Sequence, residues 1–565
     1  MKPELPQREG WPGRFARLAP VVFVISIICL AWRITLGVDF SDEAYYAIFL
    51  DDWLKEGVAA APFLTLHQTS ALLVYPFAYA YRVLVGSTGG LMLFLRCLYV
   101  AGSATAALAV VRFLRLAGVG GLRWMAGALL VTFVPYNLPA PSYNTIGLQA
   151  LLVACALFAC AVLRDQAGQP SRRDLILSAV AWSVATVAYP SLILSLALLV
   201  VGTLILLRPG RTFAWFGLAA IAIGQALAGG TMLGILGWQR ISRCLRFQVV
   251  VSSTLDAPAL VARTLAILRG HERFMVLLMV AVLLGLLRKQ LPAAAAAIVD
   301  ALLLGLILLL PPALFSLSHG AILASALGGV LLLAGLRPRA APHAKLLGLL
   351  FATSWVAGFS VAGTATLGVY KLPIGVALAS VLAAVVAGER CLAAGKPLLA
   401  TLPAGALWAV LMVSLWQSYY GEPPEARLQH RVRVGRGAFA GLAVTSDDAR
   451  LIEVVQQALH QHERAGDTIA VAGRLPGLYL LSSARVRSLM PYALTALYPP
   501  AARRAIHDYY ARPADRPSLV LIYRDPQLPV TDPFEPDFAR WYRLRASYPT
   551  PLGSIELYRR VDEPA

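Results

Sequence analysis

Long apolar runs recur along the chain and are separated by short polar or basic stretches. Runs of about 17–25 apolar residues can cross a bilayer as α-helices, so they predict a polytopic helical membrane protein with about thirteen spans. The predicted spans occupy residues 19–37, 91–111, 122–138, 143–163, 174–189, 191–207, 212–236, 273–287, 291–312, 320–336, 345–364, 371–388 and 398–416. The segment 66–85 is also apolar, but His67, Pro76 and Arg82 within it favour a helix at the membrane interface.

A second helical pattern follows the first span, within residues 42–57. Its apolar residues recur at helical spacing, at Tyr45, Ile48, Phe49 and Trp53. We expect this face to rest on the bilayer surface, and we expect Gly57 to end the helix. Asp39 or Ser41 can cap its N-terminus, where the helix dipole also favours acidic residues.

The composition agrees with a membrane protein. Only 14% of the 565 residues are charged, and the mean hydropathy is +0.67. The net charge of +19 does not require a nucleic-acid partner, because much of the arginine lies in short loops between apolar runs. The six cysteines show neither metal-ligand nor redox spacing.

The basic loops determine the predicted topology. With a cytoplasmic N-terminus and 66–85 not counted as a span, every short basic loop falls on the cytoplasmic side. These loops contain Arg112, Arg115, Arg123, Arg164, Arg172, Arg173, Arg208, Arg211, Arg288, Lys289, Arg337, Arg339, Lys345, Arg390 and Lys396. The loop 38–90, with two interfacial helices, then lies on the outer side of the membrane.

The same topology places residues 418–565 outside the cytoplasm. Asp447–Arg464 has the pattern of an amphipathic helix, while Thr468–Ala472 and Ser518–Tyr523 have the pattern of short buried strands. We therefore predict a soluble extracytoplasmic α/β domain that follows a transmembrane domain at residues 1–417.

The order of these features resembles the GT-C class of integral-membrane glycosyltransferases, and most of all the lipid A aminoarabinose transferases and protein O-mannosyltransferases. Asp42 and Glu43 match the Asp-Glu motif of the class, with Tyr46 three residues beyond the glutamate. Arg96 matches the arginine that starts the second span. The class often has a Lys-Pro-Pro or His-Pro-Pro element in the outer loop. His67 is the candidate for that place, although no proline pair follows it.

The resemblance implies sugar transfer from a polyprenyl-phosphate donor to an acceptor hydroxyl at the outer face of the membrane. We expect the carboxylate of Asp42 to accept the proton of the attacking hydroxyl. Glu43 is a second candidate base, or a group that orients its neighbour. The alternative is that both acids only stabilise the helix N-terminus.

A leaving polyprenyl phosphate requires cationic partners near the outer interface. The candidates are Arg240, Arg243 and Arg246, which a helix would place close to one face, and Arg96. Two alternatives stay open: the arginine row contacts lipid headgroups, and Arg96 anchors a helix end.

Further candidates for substrate binding lie in the outer loop or at the outer ends of predicted helices. They are Asp39, Tyr46, His67, Tyr143, Asn144, His319 and Lys371. For His319, a hydrogen-bonded histidine at a helix end is the other interpretation. No metal site is predicted, no cofactor is expected to be required, and a need for a divalent metal is left open.

The predicted function is that of a polyprenyl-phosphate-sugar-dependent glycosyltransferase in the bacterial cytoplasmic (inner) membrane. Its expected partners are the lipid-linked donor, membrane lipids, and an acceptor that is a glycan, a lipid or a protein. Two other functions stay open, namely a transporter or flippase for a lipid-linked envelope precursor and a non-catalytic scaffold for envelope assembly. An acidic pair in a surface loop argues against the transporter, because transporter sites lie near the bilayer midplane.

Overall fold

The structure is a computed structural model. It describes residues 11–58, 65, 67–252, 276, 279–280, 283, 316–334, 343–363, 368–393, 397–417, 422, 429–491, 500–526 and 537–561. The predicted span at 291–312 lies outside the described residues, and so does the span at 273–287 apart from four isolated positions.

The N-terminal part of the described chain is helical throughout. Its helices are α1 (Trp11–Arg33), α2 (Asp42–Glu56), α3 (Gln68–Val85), α4 (Leu91–Leu116), α5 (Leu122–Thr132), α6 (Tyr143–Gln166), α7 (Arg172–Ala188), α8 (Ile193–Gly202), α9 (Arg211–Leu236), α10 (Trp238–Ser252), α11 (Leu317–Ala334), α12 (Ala344–Gly363), α13 (Leu372–Ala393) and α14 (Pro397–Gln417). Within the described ranges, six helical stretches are long and apolar enough to cross a membrane, and four shorter helices are apolar. The predicted total of about thirteen spans therefore stays a prediction.

Small residues allow the helices to approach one another closely. α12 and α13 meet at Gly358 and Gly375, where a Cβ on Gly375 would lie 2.0 Å from the backbone nitrogen of Gly358. Helices in membranes gain much of their association energy from such close backbone packing. A large side chain at Gly375 would therefore separate α12 from α13.

In the loop 38–90, α2 does not turn its apolar face to the bilayer as predicted. α2 begins at Asp42 and ends before Gly57, as the sequence predicts. However, its apolar face is buried inside the protein, where Phe49 and Trp53 are 0% and 1% exposed, in one core with α3 and the C-terminal domain. α3 instead exposes a row of apolar side chains, which includes Phe77, Tyr79, Val83, Leu84 and Val85.

The C-terminal part is an α/β domain, in agreement with the prediction. It contains β1 (Arg431–Arg433), β2 (Ala443–Thr445), α15 (Ser446–His462), β3 (Thr468–Ala472), β4 (Arg485–Val486), α16 (Pro500–Ala511), β5 (Leu519–Arg524), α17 (Phe538–Trp541), β6 (Tyr542–Thr550) and β7 (Gly553–Arg560). The main sheet has the order β4-β3-β5-β7-β6. β3, β4 and β5 are parallel, while β7 pairs antiparallel with β5 and β6.

Backbone hydrogen bonds join this domain to the end of α1 and to the loop 38–90. Ala443 of β2 donates to the carbonyl of Thr35 and accepts from the amide of Gly37, both at 2.8 Å. The amide of Gly477 donates to the carbonyl of Phe40 at 2.6 Å. The domain therefore holds the chain on both sides of Val38, directly after α1, and we call this end of the helix bundle the domain end.

Gly477 lies at a close contact between the domain and the loop. A Cβ there would lie 2.9 Å from the Cα of Phe40 and 3.0 Å from the Cβ of Ala44. Because one of these contacts is to backbone, we expect Gly477→Ala to lower the free energy of unfolding by about 1–3 kcal/mol. Thermal unfolding in detergent measures the effect. Gly435→Ala is the matched control, since a Cβ at Gly435 meets nothing within 4 Å; equal losses in the two variants would contradict the prediction.

Candidate active site

A buried ion pair fixes the start of α2. Arg96 of α4 is 2% exposed and binds both carboxylate oxygens of Glu43, with 2.7 Å between Nη2 and Oε2. The remaining N–H groups of Arg96 donate to backbone carbonyls at the end of α1, those of Ile34, Leu36 and Gly37. All five donors of the guanidinium are thus in use. Arg96 holds Glu43 and the chain in place here, and its role in binding phosphate stays a prediction.

Of the two predicted capping residues, Asp39 and Ser41, it is Asp39 whose side chain caps the start of α2. Its Oδ2 accepts the amide of Glu43 at 2.9 Å, and its Oδ1 accepts both the amide and the hydroxyl of Ser41. Burial and the nearby Asp42 raise the pKa of Asp39 to about 7, although these hydrogen bonds oppose the shift. Asp39 thus stabilises the turn that presents Asp42.

Asp42 is exposed at the first position of α2, in contrast to Asp39 and Glu43, which are buried. Its carboxylate interacts electrostatically with Lys371 and with Tyr143. The structure therefore separates the two acids of the predicted motif: Glu43 is held by Arg96, while Asp42 is exposed and interacts electrostatically with Lys371.

An aromatic cluster lies next to Asp42. The ring of His67 stacks on that of Tyr143, with centroids 4.5 Å apart, and Tyr46 lies 6.2 Å from Tyr143. Lys371 lies over the ring of Tyr143, with its Nζ 4.5 Å from the centroid of that ring, and it donates a hydrogen bond to the Tyr143 hydroxyl. Five of the predicted site residues, from four distant segments of the chain, thus meet at the domain end of the bundle.

Burial controls the charges in this cluster. Burial, with a smaller contribution from the Lys371 charge, lowers the pKa of His67 to about 3, so its imidazole is neutral at physiological pH. Burial also lowers the pKa of Lys371, an effect that Tyr189 and Asp42 oppose. The site thus contains a neutral histidine and a lysine that is 5% exposed.

Three members of the cluster were not predicted. Tyr45 and Thr65 lie near Nδ1 of His67, at 3.4 and 3.1 Å. The ring of Tyr189 lies 5.0 Å from that of Tyr143. The sequence contains a signal for Tyr189, because this residue ends a predicted span on the side of the membrane where Tyr143 begins another.

Asn144 and His319 each bury a polar atom that has no hydrogen-bond partner among the described residues: Oδ1 of Asn144 and Nε2 of His319. Asn144 follows Tyr143 directly and is 9% exposed. His319 packs beside Tyr136, with ring centroids 4.6 Å apart, and the Tyr136 hydroxyl donates to the carbonyl of Tyr370 at 3.5 Å. Asn144 is therefore adjacent to the cluster in sequence, and His319 is linked to it through Tyr136 and Tyr370.

The arginine row lies at the other end of α2. Arg240 of α10 donates to the carbonyl of Val58 at 2.6 Å, whereas Asp42 begins α2. With 15 residues, α2 is about 22 Å long, and this length separates Asp42 from Arg240. Arg243 and Arg246 follow on the exposed side of α10. The structure does not bring these arginines to the cluster around Tyr143, and their role in binding the donor phosphate stays a prediction.

The described residues contain no group of three or more His, Cys, Asp or Glu side chains that could hold a metal ion. The aromatic cluster has one histidine and one exposed carboxylate, beside a lysine that would oppose a cation. Metal dependence stays untested.

The chain is a helical bundle with the Asp-Glu loop and a sheet domain at one end, and it has the fold of the GT-C class of glycosyltransferases. Among solved structures, the chain is similar to the Archaeoglobus fulgidus oligosaccharyltransferase in complex with Zn and sulfate. The identity is 12% and the TM-score 0.51, over 90% of this chain and 68% of the other. A structure of the same enzyme tethered to an acceptor peptide with the NVT sequon gives 12% and 0.50, over 98% and 74%.

ArnT from Cupriavidus metallidurans bound to undecaprenyl phosphate aligns over 97% of this chain and 98% of its own, with 11% identity and a TM-score of 0.41. No protein-family model matches the sequence, and no curated protein matches it significantly. The predicted class is confirmed as a fold. The more specific resemblance to aminoarabinose transferases or O-mannosyltransferases stays a prediction.

Proposed function

We propose that this protein transfers a sugar from a polyprenyl-phosphate donor to an acceptor hydroxyl at the outer face of a bacterial cytoplasmic membrane. Asp42 is the general base, and Lys371 is the cation that binds the donor phosphate. This assignment replaces the arginines of the sequence-based prediction with Lys371, because Arg96 has no donor left and Arg240 lies at the far end of α2.

The observation that carries this proposal is the pairing of Asp42 with Lys371 around Tyr143. The three residues are far apart in the sequence, yet Lys371 contacts Tyr143, and Asp42 interacts electrostatically with both. Glycosyl transfer needs a base for the nucleophile and a cation for the leaving group on either side of one sugar carbon. An exposed carboxylate and a buried lysine that interact electrostatically, both of them with Tyr143, suit this requirement.

The proposed step balances as follows. The acceptor oxygen forms a bond to the anomeric carbon and loses its proton to the carboxylate of Asp42. The bond between the anomeric carbon and the phosphate oxygen breaks, and its electron pair stays on the polyprenyl phosphate. The ammonium group of Lys371 stabilises this charge, and the burial of this lysine strengthens the interaction.

The aromatic rings suit a sugar substrate. Tyr46, Tyr189 and His67 pack around the ring of Tyr143, and ligand sites are commonly built from aromatic walls with a few placed polar groups. Because His67 is neutral, it offers a hydrogen bond without a second positive charge. The C-terminal domain lies over the loop that presents Asp42 and thereby helps to enclose the site.

Lys371→Met tests the phosphate assignment. The variant keeps the length of the side chain and loses its charge. Since a hydrogen bond to a charged group contributes about 1.5–3 kcal/mol, we expect undecaprenyl phosphate to bind about 10- to 100-fold more weakly. Titration of the purified protein in nanodiscs measures this affinity. Assays of label transfer from sugar-loaded undecaprenyl phosphates to envelope acceptors measure the activity.

Lys345→Met is the matched control. Lys345 is exposed in the first turn of α12, whereas Lys371 directly precedes α13. Because these two helices pack together and run antiparallel, the two lysines lie at opposite ends of the helix pair. Unchanged affinity in Lys371→Met would remove Lys371 from the phosphate site. A wild-type protein that transfers no label, but moves lipid-linked sugars across liposome membranes, would instead support the transporter.

A further inference from the structure

His319 is held by one ring nitrogen only. Its Nδ1 lies 2.5 Å from the hydroxyl of Ser316, which also accepts the backbone amide of His319 at 3.3 Å. The side chain is 2% exposed, and Nε2 has no hydrogen-bond partner among the described residues. A buried polar atom without a partner costs free energy, which a ligand hydrogen bond would recover.

An unusual turn packs against this histidine. Tyr136 and Asn137 both have positive φ, 56° and 57°, a conformation that is uncommon for residues other than glycine. The turn places the centroid of the Tyr136 ring 4.6 Å from that of the His319 ring. The ring of Phe133 packs edge-to-face against His319, with centroids 5.7 Å apart. Such backbone conformations persist where the surroundings enforce them, and they are frequent at ligand sites.

This pair adjoins the proposed phosphate site. The Tyr136 hydroxyl donates to the carbonyl of Tyr370, and the next residue is Lys371. A group bound at Nε2 of His319 is therefore close to the ring of Tyr136, and the hydroxyl of Tyr136 bonds to the residue that precedes Lys371.

We propose that His319 and Tyr136 form a subsite that binds hydroxyl groups of a sugar ring beside Lys371. This inference rests on the proposed function. A hydroxyl both donates and accepts, so it pairs with Nε2 in either tautomer of a neutral imidazole. The aromatic ring of Tyr136 fits the apolar face of a sugar, and no cation among the described contacts of His319 favours a phosphate at this position.

The test uses His319→Phe, which keeps a flat ring and removes both nitrogens. The purified full-length protein in nanodiscs is titrated with undecaprenyl phosphate, with undecaprenyl phosphates carrying glucose, mannose, galactose or N-acetylglucosamine, and with the corresponding methyl glycosides. We expect about tenfold weaker binding of the preferred sugar-bearing ligand, and unchanged binding of undecaprenyl phosphate itself. His319→Gln is expected to recover part of the loss, because its amide can still form a hydrogen bond.

Two results would support the subsite and identify the source of the sugar. A loss confined to sugar-loaded lipids assigns the subsite to the donor, and a loss confined to methyl glycosides assigns it to the acceptor. His460→Phe, at an exposed position near the end of α15, is the control, and thermal unfolding of each variant verifies its fold.

Unchanged affinities for every sugar-bearing ligand in a folded His319→Phe variant would overturn the subsite and leave the proposed function standing. If the wild-type protein binds no undecaprenyl phosphate, the proposed function fails. The subsite is then decided by the methyl glycosides alone: weaker binding in His319→Phe upholds it, and equal binding or none in the wild type rejects it.

Discussion

Asp42→Asn is expected to transfer sugar about 100- to 10,000-fold more slowly than the wild-type protein, because a general base contributes a factor of this size. Asparagine has nearly the same shape as aspartate but cannot take up the proton of the acceptor. Since Asp42 is exposed and its neighbours Asp39 and Glu43 carry the hydrogen bonds of the turn, the fold should be retained. Initial rates of label transfer at saturating donor measure the effect.

Asp447→Asn is a closely matched control. Asp447 is also an exposed acid in the first turn of a helix, α15, and the substitution is chemically identical. It therefore reproduces the lost interaction with the helix dipole, worth about 0.3–1 kcal/mol, without touching the cluster around Tyr143. Equal rates in the wild type and in Asp42→Asn would show that Asp42 only stabilises the start of α2.

Arg96→Met is expected to lower the free energy of unfolding by about 3–5 kcal/mol, the cost of leaving a buried charge without its partner. The change leaves the carboxylate of Glu43 unpaired, together with the carbonyls of Ile34, Leu36 and Gly37. Thermal unfolding in detergent measures the loss. Adding Glu43→Leu should recover part of it, since the double variant no longer buries a charge.

The control for this prediction is the ion pair of Arg485 with Glu56, at the contact between α2 and β4. Its side chains are 50% and 32% exposed, and exposed pairs contribute at most about 1 kcal/mol. We therefore expect Arg485→Met to be nearly neutral. If Arg96→Met were equally mild, the interaction with Glu43 would not fix the outer loop.

Features set by neighbours in sequence were predictable. The start of α2 at Asp42 and its end before Gly57 follow from local capping and periodicity, and β3 occupies the predicted residues Thr468–Ala472. Asp39 was a candidate cap because short acidic side chains bond to nearby amides. In each case the interactions that decide the structure lie within a few residues of one another.

Features set by distant segments were not predictable. An apolar helix face looks the same in sequence whether lipid or protein covers it, so the burial of Phe49 and Trp53 against the C-terminal domain was missed. Nothing local in the sequence indicates that the guanidinium of Arg96 meets Glu43. Tyr143 and Lys371 were named as separate helix-end residues, and only the tertiary fold shows that they touch.

The bonds from Gly477 to Phe40 and from Ala443 to Thr35 and Gly37 have a consequence for biosynthesis. The ribosome makes the loop that carries Asp42 before the domain that covers it, with 437 residues of chain between the partners of the first bond. At about 5–20 residues per second this separation corresponds to roughly 20–90 s. A nascent chain inserted in the membrane would pass that interval with its loop uncovered, so the turn that presents Asp42 would gain its bonds to this domain only after residue 477 has been made.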